Sequence, residues 1–290
     1  MIHANMQKEN SVNLQHQTGA FTATDGLELF KQTWQPTKKP QAGIILVHGF
    51  GEHSSRYSHL AEKLTHNNYV LFTFDLRGHG KSEGSRFYVR SFDDYLQDLN
   101  LFLHHVREQM NGLPIFLFGH SMGGTIVTLY AIKYKPDLSG ILLSGAALKI
   151  GEDIPKVLIS MSSFLAKILP KLPTVKLDTK MLSHDPDVVM QYDNDPLINH
   201  KGTLARTGAE LVRAIKYIQE HMEEINLPVL IMHGTGDVIV DPEGSRQLFK
   251  RAKSKDKSLK LYDGFYHEIM NEPDREQVLA DILDWIGRHI

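Results

Sequence analysis

Cysteine is absent from all 290 residues of the sequence. Disulfide bonds, a thiol nucleophile and thiolate metal ligands are therefore excluded. The sequence also lacks any run of about 18 apolar residues, so it predicts no transmembrane helix. Residues 1–19 are polar and have no apolar segment of the kind found in secretory signals, and we interpret them as a flexible tail. Together these absences predict a cytoplasmic protein.

An excess of either charge is missing as well. The chain has 32 Lys and Arg against 34 Asp and Glu, a net charge of −2, which argues against a nucleic-acid partner. The 16 histidines are scattered and show no paired metal-binding spacing, so we expect neither a metal nor another cofactor. The composition is otherwise ordinary for a globular protein with a sizeable core, and it leaves the oligomeric state open.

Strand and helix patterns alternate along most of the chain. Asp25-Gly26 predicts a hairpin turn near the N-terminus. After it, continuous apolar runs predict buried parallel strands, and apolar residues at helical spacing predict the helices between them. The predicted strands are residues 43–47, 69–74, 115–118, 140–144, 229–233 and 259–262. This alternation predicts an α/β fold with a mainly parallel sheet and helices on both faces.

The alternation stops between about residues 146 and 205, where the sequence is irregular and interrupted by prolines. We interpret this stretch as a cap inserted into one domain that spans residues 20–290. Within the cap, residues 154–169 contain no acidic residue and predict a helix with a wide apolar surface. We expect this helix to form a lid that contacts a membrane surface peripherally. A plain core helix that covers the sheet is the alternative.

A candidate nucleophile lies between a predicted strand and a predicted helix. Residues 119–123 read Gly-His-Ser-Met-Gly, which matches the G-x-S-x-G pattern with Ser121 at its centre. The strand 115–118 precedes it and the helix 125–134 follows it. In a sharp strand-to-helix turn, glycines avoid collisions with neighbouring elements and the serine oxygen is pushed above the sheet edge. This context separates the motif from a chance Gly-Ser turn.

Two later loops at strand ends supply candidates for an acid and a base. Asp237 follows the strand 229–233 and is the predicted acid, with Asp241 as a rival and an ordinary turn aspartate as the alternative. His267 lies in the last strand-end loop before the C-terminal helix and is the predicted general base. Around a motif of this type, the acid and then the histidine follow the serine. His233 precedes the acid and is therefore set aside.

Two backbone N–H groups are expected to form an oxyanion hole. Negative charge develops on the carbonyl oxygen of an ester when a serine attacks it, and preplaced donors stabilise that charge. Met122, the residue after the nucleophile, is expected to supply one N–H. The loop 48–51 at the end of an early strand is expected to supply the other, from Phe50. Both are main-chain roles, so these side chains need not be polar.

Taken together, these residues resemble the α/β-hydrolase superfamily and, within it, the monoacylglycerol lipases. The resemblance covers nearly the whole chain after the tail and is carried by residues 48–57, 75–84, 119–124, 192–198, 234–237 and 262–267. It implies an α/β-hydrolase fold of the eight-stranded type with an inserted helical cap. It also implies a triad of Ser121, Asp237 and His267, with Phe50 and Met122 donating to the oxyanion.

The resemblance further implies a polar pocket for a glycerol head group, formed by Glu52, Arg56 and Tyr192. For Glu52 and Arg56, a structural ion pair beside the oxyanion loop is the alternative. Two positions depart from the family pattern. Phe50 stands where many members have alanine, which changes the shape of the pocket mouth. Met270 stands where mammalian members have a histidine on the glycerol side.

The sequence therefore favours a serine esterase that cleaves single-chain lipid esters through an acyl-enzyme on Ser121. By the resemblance, the expected substrate is a monoacylglycerol, which yields fatty acid and glycerol. A lysophospholipase or a broad-specificity carboxylesterase is the alternative within the enzyme class. A ligand-binding protein that keeps the fold without turnover is the alternative from another class, and the complete set of candidate triad residues argues against it.

Overall fold

The computed structural model describes residues 15–150 and 166–290, which form an eight-stranded sheet covered by helices on both faces. The strands are β1 (Gln15–Thr22), β2 (Glu28–Gln35), β3 (Ala42–Val47), β4 (Tyr69–Phe74), β5 (Ile115–His120), β6 (Gly140–Ser144), β7 (Val229–Gly234) and β8 (Lys257–Tyr262). Their order across the sheet is β1-β2-β4-β3-β5-β6-β7-β8. β2 is antiparallel to both β1 and β4, and all other pairs are parallel. The predicted mainly parallel α/β sheet is confirmed.

The central strands form where the sequence has continuous apolar runs. Every residue of β3, β4, β5, β6 and β7 is buried. Because helices cover both faces of the sheet, side chains that point in either direction must be apolar. In β3, Ile45 and Val47 pack into the core on one face, and Ile44 and Leu46 pack into the core on the other.

Helices cover the two faces of the sheet unequally. They are α1 (Ser58–His66), α2 (Phe92–Met110), α3 (Met122–Tyr134), α4 (Pro186–Asn194), α5 (Ala205–His221), α6 (Glu243–Arg251) and α7 (Glu276–Gly287). α1 and α7 pack on one face, and α2, α3, α5 and α6 pack on the other. α2 begins at a capping box, in which the Ser91 side chain and the Asp94 side chain each accept a backbone N–H of the first turn.

The ends of several elements differ from the sequence prediction. Residues 15–19, predicted as tail, belong to β1, which pairs with β2 along its whole length. β1 is exposed on both faces, so it has no apolar alternation by which a sequence pattern could find it. The helix that follows β3 begins as a 3-10 turn at Ser54–Tyr57 and continues as α1. α3 begins directly at Met122, within the predicted turn.

The structure describes only part of the cap. Residues 151–165 lie outside the described residues, and so does most of the predicted helix 154–169. The described part of the cap contains a 3-10 turn at Thr179–Met181 and helix α4. α5 then packs on α3. Within the described ranges, no helix combines the length and the apolar character that a bilayer crossing requires.

The parallel strands bring several loops to one edge of the sheet. β3, β5, β6, β7 and β8 run in the same direction, so their carboxyl ends meet at that edge. The loop after β3 carries Phe50, the turn after β5 carries Ser121, and the loops after β7 and β8 carry Asp237 and His267. Open α/β sheets bind their ligands at the carboxyl ends of their strands.

Candidate active site

Ser121 occupies a sharp turn between β5 and α3. Its φ of 53° lies in the left-handed region, which is rare for a residue other than glycine and costs backbone energy. The flanking glycines make the turn possible. A β-carbon at Gly123 would lie 2.0 Å from the carbonyl oxygen of Val47, and one at Gly119 would lie 2.5 Å from the carbonyl oxygen of Gly123. The sequence pattern therefore reflects close backbone packing around the serine.

Backbone hydrogen bonds hold Ser121 in this strained conformation. Its N–H donates to the carbonyl oxygen of Ser144 at 3.0 Å. Its carbonyl oxygen accepts from the N–H groups of Thr125 and Ala147, both at 3.2 Å. The serine is thus tied to the end of β6 and to the first turn of α3 before any substrate arrives.

His267 and Asp237 form a buried pair. Nδ1 of His267 donates to Oδ2 of Asp237 at 2.7 Å. Burial disfavours a charged imidazole, but the charge and hydrogen bond of Asp237, together with the charges of Glu268 and Glu52, outweigh burial and raise the pKa of His267. Burial likewise opposes the ionised form of Asp237, yet His267 and the hydrogen bonds from two histidines keep the pKa of this carboxyl below its usual range. The acid of this pair is therefore ionised, and the base is neutral above its raised pKa.

The base lies beside the turn that carries the serine. A β-carbon at Gly145, the residue after Ser144, would lie 3.3 Å from Nδ1 of His267. The ring of His120, the residue before Ser121, has its centroid 4.9 Å from that of His267. The structure thus brings the three predicted triad residues to the same edge of the sheet.

His233, which the sequence order set aside, also contacts the acid. Its Nε2 lies 3.0 Å from Oδ2 of Asp237, so two imidazoles face one carboxylate oxygen. We refer to Asp237, His233 and His267 as the acid–base cluster. The rival acid, Asp241, is engaged elsewhere, because its Oδ2 lies 2.9 Å from Nζ of Lys149.

The two predicted oxyanion donors are main-chain N–H groups at the same edge. Met122 is the first residue of α3, where an N–H has no partner within the helix. In the loop after β3, the N–H of Gly49 donates to Oε1 of Glu52 at 2.6 Å, which fixes the loop just before Phe50. Among the described residues, neither the Phe50 nor the Met122 N–H donates to another protein group. Both donors are available to a substrate oxygen.

Glu52 and Arg56 belong to a buried ion-pair network. Nη1 of Arg56 lies 2.7 Å from Oε2 of Glu52 and 2.6 Å from Oε1 of Glu268, and Nη2 donates to Oε2 of Glu268 at 2.8 Å. We refer to these three residues as the arginine cluster. Burial raises the pKa of Glu52, but the charges of Arg56 and neighbouring histidines lower it to about 2. These contacts favour the structural ion pair over direct contact with a substrate.

Tyr192 lies on the cap side of the arginine cluster. Its buried ring has its centroid 4.8 Å from the guanidinium carbon of Arg56, a cation–π contact. Tyr192 also lines a polar cavity of about 400 Å³ together with Asn199. The N–H of Asn199 donates to the carbonyl oxygen of Gly51 at 2.8 Å, so this part of the cap is fastened to the oxyanion loop.

The two departures from the family pattern have different surroundings. The Phe50 ring packs edge-on against His79 and Phe87, with centroids 5.6 Å and 6.2 Å away. It therefore belongs to an aromatic wall beside the oxyanion loop. Met270 is buried among the apolar residues under α7, and its carbonyl oxygen contacts Nε2 of His59 at 3.1 Å.

Sequence reasoning missed two buried glutamates in the loop after β8. Glu268 directly follows His267 and pairs with Arg56, as described above. Glu272 accepts from the backbone N–H groups of Tyr266, at 2.6 Å, and His184, at 3.0 Å, which fastens the cap to this loop. Neither glutamate lies in a recognisable motif. The sequence offered only Arg56, a cation in the segment 48–57 that is able to bind more than one carboxylate. Among the described residues, no group of three His, Asp or Glu side chains could hold a metal ion.

Comparison with known sequences gives consistent matches over most of the chain. A family model described as serine aminopeptidase, S33, matches residues 38–274. A monoacylglycerol lipase of Mycolicibacterium smegmatis is 32% identical over 93% of this chain and 97% of its own length. A monoglyceride lipase of Homo sapiens is 34% identical over 91% of this chain and 88% of its own length.

Solved structures agree with these matches. The crystal structure of Paleococcus ferrophilus monoacylglycerol lipase has a TM-score of 0.82 at 34% identity and covers 91% of this chain and 100% of its own. A monoglyceride lipase variant from Saccharomyces cerevisiae, in complex with a substrate analog, has a TM-score of 0.84 at 28% identity and covers 99% of both chains. The chain therefore belongs to the serine aminopeptidase S33 family of α/β-hydrolases, alongside the monoacylglycerol lipases. The predicted family, the α/β-hydrolase fold and the enzyme class are confirmed.

Proposed function

We propose that this enzyme hydrolyses monoacylglycerols to fatty acid and glycerol, with Ser121 as nucleophile, His267 as general base and Asp237 as the acid that orients the base. The observation that carries the proposal is the buried His267–Asp237 pair, joined at 2.7 Å beside a serine in a left-handed turn. Similarity to monoacylglycerol and monoglyceride lipases supports the substrate class.

The first half-reaction transfers the acyl group to the enzyme. The Ser121 hydroxyl attacks the ester carbonyl while Nε2 of His267 accepts its proton. Asp237 accepts the Nδ1–H of the same ring, which leaves the lone pair on Nε2. The N–H groups of Phe50 and Met122 bind the oxyanion that forms. When the C–O bond of the ester breaks, His267 returns the proton to the glycerol oxygen and glycerol leaves.

The second half-reaction releases the fatty acid. His267 accepts a proton from water as the water oxygen adds to the acyl carbonyl, and the same two N–H groups bind the new oxyanion. The bond to Ser121 then breaks, and the serine oxygen takes the proton back from His267. Because the base must be neutral to begin either step, we expect kcat/KM to rise with pH through a pKa of His267 above its ordinary value of 6.5.

A fluorophosphonate probe tests the nucleophile. Such a probe phosphonylates an activated serine, so we expect wild-type protein to be labelled and Ser121→Ala to remain unlabelled. Asp237→Asn should be labelled far more slowly, because His267 then loses its orienting acceptor. Failure of the wild type to react, or equal reaction of Ser121→Ala, would refute the enzyme mechanism and favour a non-catalytic ligand-binding protein.

A substrate panel tests the head group. It compares mono-, di- and triacylglycerols with lysophospholipids at matched acyl length, and we expect kcat/KM to be highest for monoacylglycerols. A preference for lysophospholipids, or equal rates on short water-soluble esters, would replace the proposal with a lysophospholipase or a broad carboxylesterase. A strong triacylglycerol preference would contradict all three.

We also propose that the cap contacts a lipid surface. At the described end of the predicted helix 154–169, Ile168 is 59% exposed and Leu169 is 51% exposed. Lys167 and Lys171 flank these apolar side chains in the sequence. Exposed apolar groups next to lysines are typical of segments that lie in the interface of a bilayer.

Flotation with liposomes that contain an anionic lipid tests the membrane contact. We expect wild-type protein to float and Ile168→Asp/Leu169→Asp to float less, with unchanged turnover of a soluble ester. Ile290→Asp is the matched control, because Ile290 is also an exposed apolar residue, 49% exposed, at the C-terminus. Equal flotation of the cap variant and the control would contradict the contact.

A further inference from the structure

The buried carboxylate of Asp237 accepts more hydrogen bonds than an orienting acid requires. Its Oδ1 accepts from the N–H groups of Ile239 and Val240, both at 2.9 Å. Its Oδ2 faces Nδ1 of His267 at 2.7 Å and Nε2 of His233 at 3.0 Å. An ionised carboxylate only accepts hydrogen bonds, so both of these ring nitrogens carry a proton. One oxygen of Asp237 is therefore shared between two histidines.

Ser245 contacts the ring nitrogen of His233 that faces away from the acid. Nδ1 of His233 lies 2.7 Å from Oγ of Ser245, and both side chains are fully buried. When the ring carries its proton on Nε2, Nδ1 accepts the serine O–H. Both nitrogens of His233 are thus occupied by the protein. This histidine has no lone pair to offer a substrate and does not serve as a second base.

We propose that His233, held by Ser245, is a positioning residue that acts on the reaction through Oδ2 of Asp237. The inference rests on the triad proposed above. By donating to Oδ2, His233 reduces the negative charge that this oxygen presents to His267. A carboxylate bound to His267 alone would favour the protonated ring, which is unable to accept the proton of Ser121.

Loss of the His233 donor should leave the carboxylate in place. The backbone N–H groups of Ile239 and Val240 still hold Oδ1, so Asp237 keeps its orientation toward His267. The expected change is in the basicity of His267. The titratable and charged groups that face the His267 ring are Asp237, His120, Glu268, Glu52 and, paired with both glutamates, Arg56. The carboxylates near His233 are Asp237 and Asp241.

The test compares His233→Phe/Ser245→Ala with His233→Gln. Phenylalanine keeps a planar ring without nitrogens, and the added alanine removes the hydroxyl that would lose its acceptor. On the acid side of its pH profile, kcat/KM falls as His267 becomes protonated; we call this part of the profile the acid limb. We expect the apparent pKa of the acid limb to be about one unit higher in the double variant, because His267 becomes easier to protonate. Glutamine retains an N–H for Asp237 and a carbonyl for Ser245, so we expect its acid limb to match that of the wild type.

His289→Phe is the matched control. His289 also contacts a carboxylate, with Nε2 at 2.9 Å from Oδ2 of Asp256, but this pair lies at the C-terminal helix. We expect its acid limb to be unchanged. An acid limb that stays in place in the double variant, or one that moves equally in the glutamine variant or the control, would overturn the proposal. If the fluorophosphonate probe labels the wild type, the triad proposal stands even when the proposal for His233 fails.

Nitrogen NMR of the wild type gives a test that needs no variant. We expect Nε2 of His233 and Nδ1 of His267 each to carry a proton, because both nitrogens face the carboxylate of Asp237. A His233 ring with its neutral proton on Nδ1 would be unable to donate to Asp237 and would overturn the proposal.

Discussion

The acid–base cluster and the arginine cluster are both buried at the same edge of the sheet, yet they neutralise carboxylate charge differently. A histidine can exchange its proton near neutral pH, so a carboxylate beside it takes part in proton transfer. An arginine stays charged at every accessible pH, so carboxylates beside it remain anions. In these two clusters, the partner residue therefore decides whether a carboxylate is able to take part in proton transfer or remains an anion.

The arginine cluster joins the two loops that the reaction requires. Glu52 holds the N–H of Gly49 in the oxyanion loop, and Glu268 follows the base in the loop after β8. Arg56 binds both glutamates. The cluster thus links the loop of the proposed oxyanion donors to the loop of the proposed base. Substitutions in the two clusters should consequently separate activity from stability.

The largest effect on activity is expected for Asp237→Asn. An amide presents an oxygen on one side only, whereas two backbone N–H groups face Oδ1 and two ring N–H groups face Oδ2. If the NH₂ group faces the backbone N–H groups, donors oppose donors there and the side chain is displaced. If it faces the histidines, the His267 proton on Nδ1 has no acceptor. We expect kcat for a monoacylglycerol to fall by about 10⁴.

Asp241→Asn is the control for this acid. Its carboxylate pairs with Lys149 at 2.9 Å, outside the acid–base cluster. We expect kcat within about threefold of the wild type, because the orienting hydrogen bond of the base is untouched. A comparable loss in both variants would contradict the choice of Asp237 and remove the contrast between the two clusters.

The largest effect on stability is expected for Arg56→Met. The substitution leaves the carboxylates of Glu52 and Glu268 buried without their cation, and removing one partner of a buried ion pair costs about 3–5 kcal/mol. We expect the free energy of unfolding in urea to fall by this amount at neutral pH. Lys63→Met, which breaks an exposed pair with Glu276, should leave the free energy of unfolding unchanged.

The pH dependence of the Arg56→Met effect follows from Glu52. A carboxyl whose pKa is lowered in the folded state contributes stability above its unfolded pKa, and this stability is lost as the pH falls through the folded pKa. For Glu52 these values are 4.5 and about 2. The difference in unfolding free energy between wild type and Arg56→Met should therefore narrow as the pH falls from about 4.5 to 2. A constant difference would show that the ion pair is not its source.

The smallest effect on kcat is expected for Phe50→Ala, which lies in the loop that the arginine cluster fixes. The proposed oxyanion role belongs to the main chain, so we expect kcat to change by less than about threefold, whereas loss of one donor costs about 10²–10³. The ring packs on His79 and Phe87, so its removal should shift the preferred acyl length. Turnover of a series of monoacylglycerols measures both effects. A hundredfold loss of kcat would contradict a purely main-chain role.

Features with a local signal were predictable. The central strands appear as continuous apolar runs because they are buried on both faces. The turn at Ser121 appears as two glycines because a β-carbon at either position would collide with backbone atoms. β1 was found only in part, since a strand that is exposed on both faces is defined by its backbone pairing with β2 rather than by its side chains.

The sequence by itself determined the alternating elements and the strained turn, because each depends on residues close together in the chain. It also determined the order of the candidate serine, acid and histidine, because each of them directly follows a strand that an apolar run predicts. Only the tertiary structure decided that Arg56 pairs with Glu268, which is 212 residues away, and that His233 shares Oδ2 of Asp237 with His267. A buried charge requires a partner, and the residue type alone is enough to show this requirement. Which partner meets it depends on which strand ends become neighbours in the sheet, and sequence spacing carries no record of that.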